Sequence, residues 1–515
     1  QARLNLMPSD KLRDGPRWGL SSQHSGSIDT GLDSVGRIGL GLTLNRVSDD
    51  NYWRDFPRSG LVLTQRVLPS TGVLSWARGD FSMSAQMQRW QNLQDAAPPY
   101  DRAPQITMRY GQWRAEGLDW SVVADTTRFE ADYSRIASLV SAGTLPRNGE
   151  RSFVHAQVSR PWIRPWGFIT PKLQLHATRY QMDRALDNGA LSVNRVLPTF
   201  SLDSGLVFER ETQWFGRDVL QTLEPRAFYT HTPYKNQNML PIYDSGATDF
   251  NLSTIYSENP YVGQDRLVDN NSLTLGVTTR LFDAESGAER LKLGMAQRIR
   301  FDTQKVVLDP SNPLNPSPTP ISAGLSDMLL GAGIRWTDRW TVDATVQVNS
   351  QTNAVTRTTL QSRYNPTPYR VFNVAYRLNQ GVSEQVDMGW QWPINDLWGG
   401  GDGEAESAWT RTRGQGLGPD RWYSVGRMNF SLTEKRLVDT ILGFEYDAGC
   451  WLGRVVLQRL QSTVTTASTQ LMFQLEFSGL ARVGASPLQS LRNNITNYQF
   501  LRDHTEQPSR FQSYE

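Results

Sequence analysis

Apolar and polar residues alternate with a period of two along most of the chain. In 341–348, Val342, Ala344, Val346 and Val348 fall on one side, and Thr341, Asp343, Thr345 and Gln347 on the other. Phe372, Val374, Tyr376 and Leu378 alternate with Asn373 and Arg377, and Leu273, Leu275 and Val277 with Thr274 and Thr278. Near the end, Leu471, Phe473, Leu475 and Phe477 alternate with Gln474, Glu476 and Ser478. Successive side chains of a strand point to opposite faces, so this pattern predicts strands with one apolar and one polar face. No stretch has helical periodicity with caps at both ends; the best candidate is the short run 486–494. Breakers separate the strand-like runs, as in Phe56-Pro57-Arg58-Ser59-Gly60, Ala97-Pro98-Pro99-Tyr100 and Asn365-Pro366-Thr367-Pro368. Segments 309–320 and 398–420, the second with seven glycines, read as exposed loops. The opening residues Gln1 to Leu6 read as the end of a strand rather than a signal peptide, and Met7-Pro8-Ser9-Asp10 as a turn.

Strand length favours one architecture. Strands of soluble sandwiches run about 5 to 6 residues, whereas many runs here extend to roughly 9 to 12, enough to cross a bilayer at a tilt. In lipid every backbone group must be paired within the sheet, so a spanning sheet has to close into a barrel. A chain of 515 residues has room for roughly 20 to 26 such strands. β-Helices, extracellular sandwiches and propellers share the alternation, and the pattern alone leaves them open.

Composition narrows the classes. Apolar residues make up 38% and mean hydropathy is -0.49. No run approaches the roughly 18 apolar residues of a membrane-spanning helix. With 53 basic against 51 acidic residues the net charge is +2, which gives no support to a nucleic-acid partner. Of the basic residues, 47 are Arg and 6 are Lys, a balance suited to fixed, paired guanidiniums. A single cysteine, Cys450, excludes a disulfide scaffold. The five histidines (His24, His155, His176, His231 and His504) lack metal-ligand spacing. There is no G-x-S-x-G, Gly-rich phosphate loop or C-x-x-C. No catalytic residue, metal or cofactor is expected, and the chain does not read as an enzyme.

Three local features stand out. In Glu224-Pro225-Arg226 the two charges share a strand face and are expected to point inward as an ion pair bracing the wall. The proline between them cannot donate to a ladder and marks a bulge, a rim or a distorted strand. The run Leu471, Phe473, Leu475, Phe477 reads as the last regular strand, a short one. Gly479, Gly484 and Pro487 after it discourage continuation of the ladder. Cys450 is in phase with Leu442, Phe444, Tyr446 and Ala448, as a small apolar residue of a strand face would be.

Several stretches are more specific. They include Leu6-Met7-Pro8-Ser9-Asp10-Lys11, Arg46-Val47-Ser48-Asp49-Asp50 followed by Tyr52 and Phe56, and Ser192-Val193-Asn194-Arg195-Val196-Leu197-Pro198-Thr199-Phe200. Beyond them come Val207-Phe208-Glu209-Arg210, Gln221-Thr222-Leu223-Glu224-Pro225-Arg226-Ala227, Tyr243-Asp244-Ser245, Gly263-Gln264-Asp265-Arg266 and Gly276-Val277-Thr278-Thr279-Arg280. Gly443-Phe444-Glu445-Tyr446, Leu475-Glu476-Phe477-Ser478-Gly479-Leu480, Leu491-Arg492-Asn493-Asn494-Ile495 and Tyr498-Gln499 complete the series. On these stretches the chain resembles the C-terminal barrel of the outer-membrane lipopolysaccharide-assembly family.

The resemblance implies an all-β, large transmembrane antiparallel barrel in the Gram-negative outer membrane. Its family pattern is 26 strands, of which about 23 to 24 are expected here. Residues 1–480 would form the barrel, beginning within about its third strand, and 481–515 a C-terminal tail. The family's N-terminal periplasmic jelly roll is absent from this sequence. The implied function is to receive lipopolysaccharide from the periplasm and release it laterally into the outer leaflet through a seam between first and last strands. Implied partners are lipopolysaccharide, a lipoprotein plug in the lumen, and a periplasmic bridge protein that acts through the absent domain. By the same resemblance Leu471, Phe473, Leu475 and Phe477 belong to the lateral gate. Glu224 and Arg226 would line the lumen, and Cys450 would form an interdomain disulfide with a cysteine outside this sequence. A general porin or receptor barrel shares the alternation and is the alternative.

Overall fold

Burial along the strands is the reverse of a soluble protein's. Leu275 is 45% exposed while Thr274 is 0% exposed, and Phe473 is 52% exposed while Gln474 is 1% exposed. In these strands the apolar side of the alternation is the exposed one and the polar side is covered. A water-soluble sheet hides its apolar face, because each buried large aliphatic side chain stabilises by about 1.5–3 kcal/mol. A sheet whose outer solvent is hydrocarbon has no such requirement.

The computed structural model describes all residues except 1, 12, 33–34, 53–66, 94–97, 116, 132–146, 187, 309–319, 399–415, 419, 462–466, 478–480, 485–486 and 503–515. The breaker at 56–60, most of both expected loops, Gly479 and His504 lie outside these residues. Among the described residues there are 28 strands, of which 23 run seven residues or longer. None of the described helices is long and apolar enough to cross a membrane.

The chain divides into two compact units. One comprises 1–210, 222–278 and 294–328, and the other 211–221, 279–293 and 329–515. In the first, successive strands pair antiparallel from Ala2–Asp10 to Ser192–Leu206. In the second the same meander runs from Trp340–Val348 to Ala481–Gly484. Connections as short as 79–80 and 368–369 suffice for this order, since antiparallel neighbours need only a few linking residues.

Three local expectations are corrected. Met7 to Asp10 is strand, not turn: Ala2–Asp10 continues through it with a register shift between Met7 and Asp10. Asn365 to Thr367 likewise stays within Val355–Thr367, the irregularity absorbed between Tyr364 and Thr367. A bulge keeps a ladder intact where one residue cannot donate. The third is the terminal strand. It spans Ala467–Phe477, 11 residues, and is followed by a short strand, Ala481–Gly484, that pairs back onto it. The helical candidate is borne out as Leu488–Asn494, with Pro487 at its N-terminus.

Candidate functional site

The polar faces carry two assemblies, one in each unit, in which the chain folds back over its own wall. In the first unit the connection 233–269 lies across Gly149–Ser159, Gly167–Met182 and Ser192–Leu206. Arg151 fixes it: its guanidinium donates to both Asp244 oxygens, at 2.6 and 2.7 Å, and to Asp265 Oδ1 at 2.7 Å. The other oxygen of Asp265 accepts the backbone N–H groups of Tyr243 and Asp244 at 2.7 and 2.8 Å. Arg195 donates to Gln237 Oε1 and to the carbonyls of Gln264 and Asp265, all within 2.7 Å.

The apolar support is aromatic. Tyr243 stacks on Phe129 with centroids 4.3 Å apart and meets Tyr100 edge-on at 5.0 Å. Gly263, at φ +75°, closes the turn, and a Cβ there would stand 2.4 Å from the Asp244 carbonyl oxygen. Only glycine fits that approach. Burial pushes Asp244 up, but the hydrogen bonds and charge of Arg151 outweigh it and leave the carboxyl at about 2. Asp265, wholly buried beside it, is pushed up by burial despite Arg151. The paired guanidinium is what makes two carboxylates tolerable in this interior.

In the second unit the tail from Leu488 to Leu501 packs on the polar face. Leu488, Leu491, Ile495 and Tyr498 join Val425, Ile441, Val456 and Met472 in one apolar cluster. Beside it Arg454 donates to Glu445 at 2.8 Å, Glu476 at 2.8 Å and Gln474 at 3.1 Å, and the Tyr498 hydroxyl donates to Glu445 at 2.8 Å. Arg454 and Glu445 are both fully buried. Gln499 and Gln391 exchange two hydrogen bonds of 2.8 and 2.9 Å, Asn373 donates to the Thr496 carbonyl, and Arg427 donates to Asn494.

Neither assembly was expected from sequence. The signal was present in the quoted stretches: Arg195, Tyr243-Asp244-Ser245 and Gly263 to Arg266 converge in one, and Glu445, Glu476 and Tyr498-Gln499 in the other. Separations of 93 and 114 residues between Arg151 and its two carboxylates hid the pairing.

The expected site residues fall as follows. Glu224 and Arg226 share a face but do not pair with each other. Arg226 sends a two-pronged contact to Asp203, at 2.9 and 2.6 Å, and lies 4.1 Å over the Tyr256 ring. Glu224 accepts from the Thr222 hydroxyl at 2.8 Å. A guanidinium fork needs a carboxylate approaching end-on, which the neighbouring strand offers and a position two residues along the same strand does not. Pro225 lies opposite the interruption between Ser192–Leu206 and Phe208–Trp214, where the ladder lacks its donor.

Leu471, Phe473, Leu475 and Phe477 share the outward face of Ala467–Phe477, with Met472, Gln474 and Glu476 buried behind them. This strand makes eleven residue pairs with Trp451–Gln461 and four with Ala481–Gly484. Cys450 is not on a strand face. It is an exposed free cysteine in the turn after Arg436–Asp447, next to Gly449 at φ +83°. No disulfide forms within a chain that has one cysteine.

Residues 15–398 match the family model LptD, LPS transport system D. The chain belongs to this family. It is 53% identical to the LPS-assembly protein LptD of Paracidovorax citrulli, covering 100% of this chain and 61% of that protein. It is 50% identical to the LptD of Albidiferax ferrireducens, over 100% of this chain and 63% of that one. With the LptD of Ralstonia nicotianae identity is 36%, over 100% and 60%. The chain thus spans about three fifths of these relatives. Its fold class is the family's large antiparallel transmembrane β-barrel, and its place is the Gram-negative outer membrane.

Proposed function

We propose that this chain is the membrane-spanning part of a lipopolysaccharide-assembly protein that receives lipopolysaccharide from the periplasm and releases it sideways into the outer leaflet. It makes and breaks no bond in its substrate. The observation that carries this reading is the match, along the whole chain, to proteins named for lipopolysaccharide assembly. The wall runs through residues 1–480 and takes in the short strand Ala481–Gly484, and of the tail 481–515 the stretch from Leu488 to Leu501 docks on it.

Lateral release requires a strand whose edge parts cheaply, and Ala467–Phe477 suits that role. Its four-residue partner contributes few ladder bonds, each worth about 0.5–1.5 kcal/mol net in water and more in lipid, where a freed group finds no substitute. Leu471, Phe473, Leu475 and Phe477 give the parted edge a face compatible with acyl chains. Glu224 and Arg226 form part of the lumen wall. The partners are lipopolysaccharide, a lipoprotein plug, and a periplasmic bridge protein acting through a domain outside this chain; nucleic acid is not among them. Exposure of Cys450 in a turn suits an interdomain disulfide in an oxidising compartment.

The test is a reversible lock. Leu475 and Val483 are register partners, so L475C/V483C in the full-length protein is expected to cross-link under oxidant and abolish lipopolysaccharide delivery to the cell surface until reductant is added. Undiminished delivery with the lock closed would refute parting between Ala467–Phe477 and Ala481–Gly484 as the route. Digestion of the same protein without reductant is expected to release Cys450 joined to a cysteine peptide from outside this chain, and a free thiol there would refute the disulfide.

A further inference from the structure

The apolar face of the first unit is not smooth. Near the turn at 165–166 it holds a groove of about 630 Å³ lined by Trp162, Trp166, Ile169, Leu206, Pro225 and Leu275. Small residues make the depression. Gly167 stands opposite Leu206, and a Cβ on Gly167 would come within 2.5 Å of the Gly205 carbonyl oxygen. Ser204 faces Ala227 across the next pair of strands. A volume of this size lies in the range of small-ligand sites, and the groove opens on the face that carries Leu173, Leu175 and Phe200, all exposed.

One end of the groove is cationic. Arg164 lines it, is exposed, and donates to the adjacent Ile163 carbonyl at 3.2 Å. The Arg160 guanidinium lies 5.2 Å over the ring of Trp162. Among the described residues neither arginine has a carboxylate partner. Exposed tryptophans mark the level of lipid headgroups, and Trp162 and Trp166 are 45% and 65% exposed. At this end the first unit has two-residue turns, at 79–80 and 165–166, whereas 233–269 leaves from the other end. Membrane barrels turn their short connections to the periplasm.

We propose that this groove seats an acyl chain of an anionic glycerophospholipid from the periplasmic leaflet, with its phosphate between Arg160 and Arg164. Free phosphate would leave the apolar wall unused, and a zwitterionic lipid would offset the guanidiniums with its own cation. The site is independent of lateral release, so its failure would leave the proposed function standing.

Native mass spectrometry of the full-length, delipidated protein tests it, with phosphatidylglycerol, phosphatidylethanolamine and lipid A added at equal concentration. Phosphatidylglycerol is expected to be retained over phosphatidylethanolamine by roughly tenfold, each basic residue adding to headgroup attraction. R160E/R164E is expected to abolish that preference. A227F fills the groove and leaves both arginines in place, and is expected to reduce retention of phosphatidylglycerol by a similar factor. Heat-modifiable gel mobility reports that each variant is folded. Equal retention of the two phospholipids, preference for lipid A, or folded variants that bind as the parent does would each overturn the proposal.

Discussion

Arg454 is the residue on which the second unit's polar face turns. A buried ion pair adds little net stability over a well-packed apolar pair, but removing one partner strands the other in low dielectric at about 3–5 kcal/mol. Arg454 has two carboxylates to satisfy, Glu445 and Glu476, and Glu445 also accepts from Tyr498. Arg454→Met is therefore expected to destabilise by about 3–5 kcal/mol, read as a lowered urea midpoint. Adding Glu445→Gln and Glu476→Gln is expected to restore much of the loss. If the single and triple variants unfold together, the network is not what holds this face. The sequence displayed these groups as ordinary alternating polar positions. That Glu445 and Glu476 share one guanidinium depends on three strands lying side by side in register, Glu445 opposite Arg454 and Leu452 opposite Glu476.

At the scale of elements, the connection 233–269 is held by buried charge pairs as well as by apolar packing, so acid should loosen it. Asp244 lies outside the spanning strands, and its carboxyl is lowered from 3.8 to about 2. A group with a depressed folded-state pKa contributes stability above its unfolded pKa and loses it as pH falls through the folded value. Asp265 shifts the other way, so its protonation does not by itself favour opening. The connection is expected to stay docked down to about pH 4 and to loosen between about pH 4 and 2. Hydrogen exchange of residues 240–268 measures it; protection that is flat across this window would show that packing around Tyr243 suffices. The same scale explains the tail. Leu488–Asn494 is too short to be stable alone, and it exists because Leu491 and Ile495 find a cluster to enter.

For the whole molecule, the outward apolar faces make a claim about solvent. Leu173, 53% exposed, and Leu175, 46% exposed, lie on the outward side of Gly167–Met182, while His176 and Thr178 are each 5% exposed on the other. Leu173→Arg is expected to cost about 2–4 kcal/mol of folding stability in a bilayer, the cost of a midplane arginine. Thr345→Arg, on a polar-phase position exposed among neighbours of its own kind, is expected to change it by less than about 1 kcal/mol. Reversible urea unfolding in lipid vesicles compares them. Similar costs for the two would mean that the apolar face does not meet hydrocarbon.

Strand class, strand length and the two-faced pattern were legible from the sequence, because a period of two is a local property of the extended backbone and needs no partner. So was the proline break at Pro225, since a missing N–H is intrinsic to the residue. Which face is covered, and by what, was not legible. Arg226 turning to Asp203 instead of Glu224, the capture of Asp244 and Asp265 by Arg151, and the tail resting on Met472 and Val456 all join residues far apart in the chain. Charge and phase say which residues can pair; only the folded strands, by setting neighbours and register, decide which do.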